Sequence, residues 1–255
     1  MIVLANEKGG TGKSTTAVHI GVALALTGQR TALIDLDHRQ RTSTRYLENR
    51  WHHAQRHGLT LPAPDVVVVA DGPKGEAELA LRFQQASTLD FIVVDSPGRD
   101  SDLARAAMAR ADTLVTPIND SFVDFDLIGE VDGDTFEVKK PSFYAELVWE
   151  ARTRRARTEN RQMDWVVLRN RLSTLEARNK QRVGAALDNL SKRIGFRVLP
   201  GLSERVIYRE FFPRGLTLLD RGALTDFSLS HVAARSELRA LIAGLNLPGD
   251  VELSA

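Results

Sequence analysis

Residues 8–15 read Lys8-Gly9-Gly10-Thr11-Gly12-Lys13-Ser14-Thr15, directly after the apolar run Ile2-Val3-Leu4-Ala5. A strand, a glycine-rich turn and a helix in that order make a phosphate-binding loop, because successive backbone N–H groups can curl around phosphate oxygens. Lys13 can then reach the β- and γ-phosphates, and the Ser14 hydroxyl can ligate Mg²⁺. The ordinary pattern, G-x-x-x-x-G-K-[ST], has glycine where this chain has Glu7, so the loop takes the form called deviant Walker A. Its distinguishing residue is a second lysine, Lys8, at the loop entrance. A loop wrapping its own nucleotide gains little from that extra cation, so Lys8 is expected to point outward. Gly9, Gly10, Thr11, Gly12 and Thr15 complete the candidate nucleotide-binding set.

Two further apolar runs end in carboxylates. Thr31-Ala32-Leu33-Ile34-Asp35-Leu36-Asp37 places two acids at i, i+2, which on a strand point the same way. Asp90-Phe91-Ile92-Val93-Val94-Asp95-Ser96-Pro97-Gly98 ends a buried-type strand in an acid. Asp95 suits the Walker B role, holding Mg²⁺ through its water shell, since that ion keeps most of its waters and takes few carboxylates directly. Gly98 would offer a backbone N–H to the γ-phosphate. Three such motifs at strand ends, in this order, place phosphate chemistry at the carboxyl edge of a sheet.

These side chains need a scaffold, and the chain supplies one. Apolar runs near 2–5, 30–35, 66–69, 90–95, 113–117, 164–168 and 196–199 alternate with helical stretches. That alternation predicts an α/β fold with a mainly parallel twisted sheet flanked by helices, a P-loop NTPase of the deviant Walker A type. After the loop, Ala17, Ile20, Gly21, Leu24 and Ala25 form an apolar stripe that Gly28 stops. Residues 58–75 read as loop around a short strand. The 255 residues suffice for one ATPase-sized domain over 1–245, followed by a tail at 246–255. Met1 precedes the first strand at once, so no DNA-binding domain is expected ahead of it.

Cysteine is absent, which removes disulfides, thiolate metal sites and the cysteine-ligated clusters of nitrogenase iron proteins. No leader and no run of eighteen apolar residues is read, so a cytoplasmic placement is expected. The helix predicted over 229–245 runs into an acidic tail containing Pro248, unlike a basic membrane-binding helix, so no membrane partner is expected.

Net charge is only +1, yet its distribution is lopsided. From Arg152 to Arg214 there are 16 Lys/Arg against 6 Asp/Glu, whereas the rest holds 18 basic and 27 acidic residues. Arg178 and Arg182, at i, i+4, share a helix face, and Arg205 and Arg209 repeat the spacing. Few aromatics interleave, so phosphate contact with double-stranded DNA, without sequence preference, is the expected polyanion chemistry. Two clusters carry no weight. His53 and His57 lack a completing ligand set. Asp120 to Asp126 lacks the glycine turn of a calcium loop and reads as surface near the nucleotide.

The motifs resemble the ParA/MinD group of ATPases that position chromosomes, plasmids and division sites. Within it, several stretches resemble the MipZ family: Asn6 to Gly10, Asp35 to Thr42, Asn119 to Asp126, Met163 to Arg171, Arg205 to Glu210 and Gly215 to Asp220. The resemblance covers residues 1–245. It implies that ATP closes a homodimer in which Lys8 crosses to the partner's phosphates, with Lys8, Lys13 and Asp37 as the catalytic set. Asp37 would position the attacking water and Asp35 would fix the loop. It further implies that Asn170 contacts adenine, that Arg178 and Arg182 bind DNA, and that the dimer blocks polymerisation of the tubulin-like FtsZ. The monomer would be recruited to the centromere-binding protein ParB, giving a nucleoid-associated, polar-enriched distribution. Ser203 stands where another arginine is expected, which would weaken the DNA surface or shift it toward Arg205. No arginine or glutamine is placed to accelerate hydrolysis, so turnover on the order of 10⁻⁴ to 10⁻² per second is expected. Two rivals share the loop. A ParA-type partition ATPase would leave FtsZ assembly unaffected, and a ligase of the dethiobiotin synthetase type would turn over ATP without dimer closure.

Overall fold

The computed structural model describes residues 1–119, 122–132, 138–170, 177–203, 205–223, 229–249, 251 and 253, with the backbone alone described at 122, 131, 177–182 and 221. In chain order the strands are β1 (Ile2–Leu4), β2 (Thr31–Asp35), β3 (Asp65–Val68), β4 (Phe91–Asp95), β5 (Thr113–Asn119), β6 (Gly129–Val131), β7 (Val138–Pro141), β8 (Asp164–Asn170) and β9 (Arg197–Pro200). The helices are α1 (Lys13–Leu26), α2 (Thr42–His57), α3 (Gly75–Gln85), α4 (Asp102–Met108), α5 (Phe122–Phe125), α6 (Phe143–Glu159), α7 (Ala177–Ile194), α8 (Ile207–Phe211) and α9 (Leu229–Gly244). The chain groups into two compact units, one of residues 1–13 and 96–204, the other of residues 14–95 and 205–255.

In the first unit β1, β5, β8 and β9 pair side by side, all parallel, with Ile2 opposite Thr113, Thr113 opposite Asp164 and Val166 opposite Arg197. Val, Ile and Leu fill much of the buried length of β1, β5 and β8, with Thr116 and Trp165 among them, the pattern of a sheet buried on both faces. Two polar side chains pin this core. The indole of Trp165 donates to Thr116 Oγ1 at 3.0 Å, and the Tyr144 hydroxyl donates to the Ala5 carbonyl at 2.9 Å. Burial pushes the Tyr144 phenol well above its ordinary pKa, so it stays a donor. β6 and β7 form a separate antiparallel ribbon.

In the second unit the order is β3, β2, β4, again parallel, with Asp35 of β2 opposite Asp95 of β4. Arg50 on α2 is fully buried. Its guanidinium grips both carboxylate oxygens of Asp220 at 2.7 Å and donates to the Pro62 and Gly215 carbonyls, so the charge is paired on every side.

All seven strands predicted from the apolar runs are present within a residue or two, and the parallel α/β class holds. β5 and β8 run two residues further than expected, which puts Asn119 and Asn170 on strand ends. The one-sided stripe expected for α1 is corrected. From Thr16 to Leu24 every residue is buried, because a helix apolar on all sides is enclosed by the fold.

Candidate functional site

The phosphate loop is built from the end of β1. Ala5 N–H still pairs with the Val115 carbonyl at 3.0 Å, continuing the sheet ladder one residue past the strand. Asn6 then turns the chain: its Nδ2 donates to the Pro117 carbonyl and its Oδ1 accepts the Lys8 N–H at 2.5 Å. Lys13, at the start of α1, is buried, and its Nζ donates to the Lys8 carbonyl at 2.8 Å, spanning the loop. Lys8 differs. Its side chain is one-third exposed, and its Nζ donates to the Val123 carbonyl of α5 and lies 3.6 Å from Asp124 Oδ1.

Close approach dictates two glycines. A Cβ on Gly98 would stand 3.1 Å from Gly9 Cα and 3.3 Å from the Lys8 carbonyl oxygen. Gly12 has φ +87°, and a Cβ there would stand 2.8 Å from Asn170 Nδ2. Asn170 Nδ2 donates to the Thr11 carbonyl at 2.9 Å, and its Oδ1 accepts the Leu202 N–H at 2.9 Å. Beside this cradle the buried hydroxyls of Thr11 and Ser96 have no hydrogen-bond partner among the described residues. Orphaned donors, a buried lysine and glycines with no room for a side chain fit a bound polyphosphate. Glu7 is part-buried, and its carboxyl is pushed up first by burial and then by the neighbouring Asp100, with Arg105 opposing.

In the second unit Ser14 and Thr15 occupy the first turn of α1. The His19 ring one turn on donates from Nδ1 to the Thr15 carbonyl at 2.8 Å and meets Tyr46 and Tyr208 edge-on. Burial drives its pKa down to about 4, so the ring is neutral. Asp35 is buried and fixes the turn after β2. Its Oδ1 accepts Asp37 N–H at 3.0 Å, and its Oδ2 accepts both the N–H and the hydroxyl of Thr44, at 3.1 and 2.8 Å. Asp37 lies two residues beyond the strand, half-buried, with Oδ1 accepting the Gln40 N–H at 3.1 Å. Asp95 is buried at the end of β4. Ser14 and Asp95 are hard oxygen donors of the kind Mg²⁺ takes, so the donor set fits that ion.

The basic segment is less available than its charge suggests. Arg152 donates to the Ile194 and Gly195 carbonyls, Arg155 is buried against Asp112, Arg193 donates to the Val138 carbonyl and Arg197 pairs with Asp164. Arg205 is held by Glu237 at 2.6 Å and by the Ser230 hydroxyl at 3.1 Å. The side chains of Arg178 and Arg182 lie outside the described residues, although the backbone of α7 that carries them is a helix. Asp120 and Ser121 of the acidic stretch are also outside them. Asp124 is buried in the Lys8 contact, so the surface reading of that stretch is corrected there. Thr44 and His19 are not singled out from the sequence, and Asn6 and Asp124 enter there only within longer stretches. The positions of Asn6 beside the loop and of His19 one turn into the helix were the only available signals.

Comparison with known proteins gives a consistent family. A family model described as ATPase MipZ matches residues 1–249. The chain is 34% identical over 134 residues to the chromosome-partitioning ATPase Soj of Thermus thermophilus, covering 46% of this chain and 53% of that one. It is 29% identical over 146 residues to the chromosome partitioning protein ParA of Myxococcus xanthus, covering 46% and 51%. The chain thus spans about half the length of these curated relatives. Among solved structures, the fold is similar to MinD of Pyrococcus horikoshii complexed with Mg-ADP, with TM-score 0.61, 15% identity and coverage of 100% of this chain and 98% of that one. It is also similar to apo McdA of Cyanothece, with TM-score 0.62, 17% identity and coverage of 94% and 98%.

Proposed function

The chain belongs to the MipZ ATPase family, within the ParA-type ATPases of positioning and partitioning, and from that premise we propose an ATP-dependent dimerising switch that places the division site. Gly9 to Thr15 wrap the triphosphate, with Lys13 on its terminal oxygens and the Gly98 N–H marking the γ-phosphate. Ser14 and Asp95 would hold Mg²⁺, which would offset phosphate charge when bound. Asp37 orients the attacking water, and Asn170 lines the nucleotide site. Lys8 reaches the phosphates of the partner protomer, so two buried triphosphates become tolerable only when both copies are present. Slow hydrolysis then acts as a timer. The closed homodimer blocks FtsZ polymerisation and binds double-stranded DNA through Arg178, Arg182 and Arg205, and the monomer is recruited by ParB. Such a protein is cytoplasmic, nucleoid-associated and enriched at the poles. No helix among the described residues is long and apolar enough to cross a membrane.

One observation carries the reading: the two loop lysines have separate surroundings. Lys13 is buried and spans its own loop, whereas Lys8 is one-third exposed and, among the described residues, its ammonium rests on Val123 and Asp124 of a short helix. A lysine so placed can leave its tether for a second subunit without disturbing the loop. The test is light scattering of FtsZ polymers with this protein and Mg²⁺-ATP, for the wild type and Lys8→Ala. Wild type is expected to lower scattering and the variant to leave it unchanged. Unaffected polymers with wild type would remove the division-inhibitor role and favour the partition reading. Equal inhibition by the variant would remove the switch.

A further inference from the structure

Asn170 ends β8, one residue beyond Arg169, which stands opposite Pro200 of β9. Its amide bridges two stretches of backbone far apart in sequence, the Thr11 carbonyl in the phosphate loop and the Leu202 N–H after β9. The packing around it leaves no slack. Gly201 N–H donates to the Arg169 carbonyl at 2.9 Å, and a Cβ on Gly201 would stand 2.2 Å from Asn170 Oδ1. On the other side Gly12 brings its Cα so close that a Cβ would stand 2.8 Å from Nδ2. The amide is therefore located by backbone on both flanks.

The Thr11 carbonyl and the Gly12 N–H belong to one planar trans peptide, in which the two groups point in opposite directions. Holding the carbonyl toward Asn170 consequently aims the Gly12 N–H away from it. We propose that Asn170 is a positioning residue that orients the Thr11–Gly12 peptide, so that the Gly12 N–H faces the phosphates and Asn170 sets affinity for the triphosphate, apart from whatever its second N–H and second lone pair do for the base. The proposal rests on the nucleotide-site reading above and refines it, since the resemblance alone assigns Asn170 to adenine. Its contribution is independent of the base. Loss of one neutral buried hydrogen bond of this kind corresponds to about a tenfold loss of affinity.

The experiment is calorimetric titration of the wild type, Asn170→Ala and Asn170→Asp with Mg-ATP, Mg-GTP and inorganic tripolyphosphate, each variant also melted thermally. Both variants are expected to lose about tenfold on tripolyphosphate, which has no base, and at least as much on the two nucleotides. Asp keeps the side chain's size and the bond from Leu202, yet turns an acceptor toward the Thr11 carbonyl, so it should lose at least as much as Ala. Gly12→Ala, whose methyl would displace Nδ2, should show the same base-independent loss. A loss confined to Mg-ATP, with tripolyphosphate binding intact, overturns the proposal in favour of base reading. A lowered melting temperature with all three affinities retained overturns it in favour of a purely structural role. Failure of the underlying site reading looks different, because then the wild type itself binds none of the three, and the proposal falls with it.

Discussion

Lys8 and Lys13 are five residues apart in one loop, and their surroundings separate their roles. Lys13 is buried with its ammonium on the Lys8 carbonyl, while Lys8 leans on Val123 and Asp124. The Asp124 contact involves a part-exposed lysine, and ion pairs of that kind contribute only about 0.2–1 kcal/mol. A tether that weak can hold Lys8 in the single protomer and still yield to a triphosphate. Asp124→Ala should therefore lower the protein concentration at which dimers form with a non-cleavable ATP analogue, by about two- to fivefold in sedimentation velocity. An unchanged or raised threshold would show that the tether does not oppose pairing. The loop itself was legible from the sequence, since glycine spacing and strand context determine it locally. The tether was not, because Asp124 lies more than a hundred residues away and only the fold brings it to Lys8. Asp37 was legible as an acid, but its bond from the Gln40 N–H was not, since that depends on the turn after the strand.

At the scale of elements, His19 ties the first turn of α1 to the core of the second unit. The ring donates to Thr15 in the loop's last residue and packs against Tyr46 of α2 and Tyr208 of α8, with the buried Arg50 and Asp220 pair close enough to influence it. Its Nε2 has no hydrogen-bond partner among the described residues, so protonation would place an unpaired charge in the core. Burial lowers the folded-state pKa to about 4 from an ordinary 6.5, so the unfolded chain binds more protons between those values. The stabilisation is thus present above about pH 6.5 and lost as pH falls toward 4, on the order of 3 kcal/mol in all. Urea denaturation should show that acid limb in the wild type, and His19→Phe should shallow it by about one proton. Parallel slopes for the two proteins would contradict the assignment. Strand elements were readable because buried parallel strands are unbroken apolar runs. The β6–β7 ribbon was not, being short and rich in charge at Glu130, Lys139 and Lys140. The all-round burial of α1 escaped a search for one-sided stripes.

Across the whole molecule, charge and function are connected less directly than counting suggests. Several arginines of the basic segment are bonded to the chain's own carbonyls or carboxylates, because a planar five-donor guanidinium suits that task. Arg205 is one of them, so α7 is the stronger candidate for contact with DNA, through Arg178 and Arg182. Filter binding to double-stranded DNA with a non-cleavable ATP analogue should weaken linearly with the logarithm of salt, and Arg178→Ala with Arg182→Ala should flatten that slope by about two phosphate contacts. Binding that ignores salt, or a double variant with the wild-type slope, would remove α7 from the interface.

Pairing of two protomers around ATP is the claim on which timing, DNA binding and FtsZ inhibition all depend, and solution mass measures it directly. With saturating Mg²⁺ and a non-cleavable ATP analogue, light scattering coupled to size exclusion should give twice the chain mass for the wild type and the single-chain mass for Lys8→Ala. A wild type that stays monomeric while nucleotide-bound, or a Lys8→Ala variant that pairs equally well, would contradict the account.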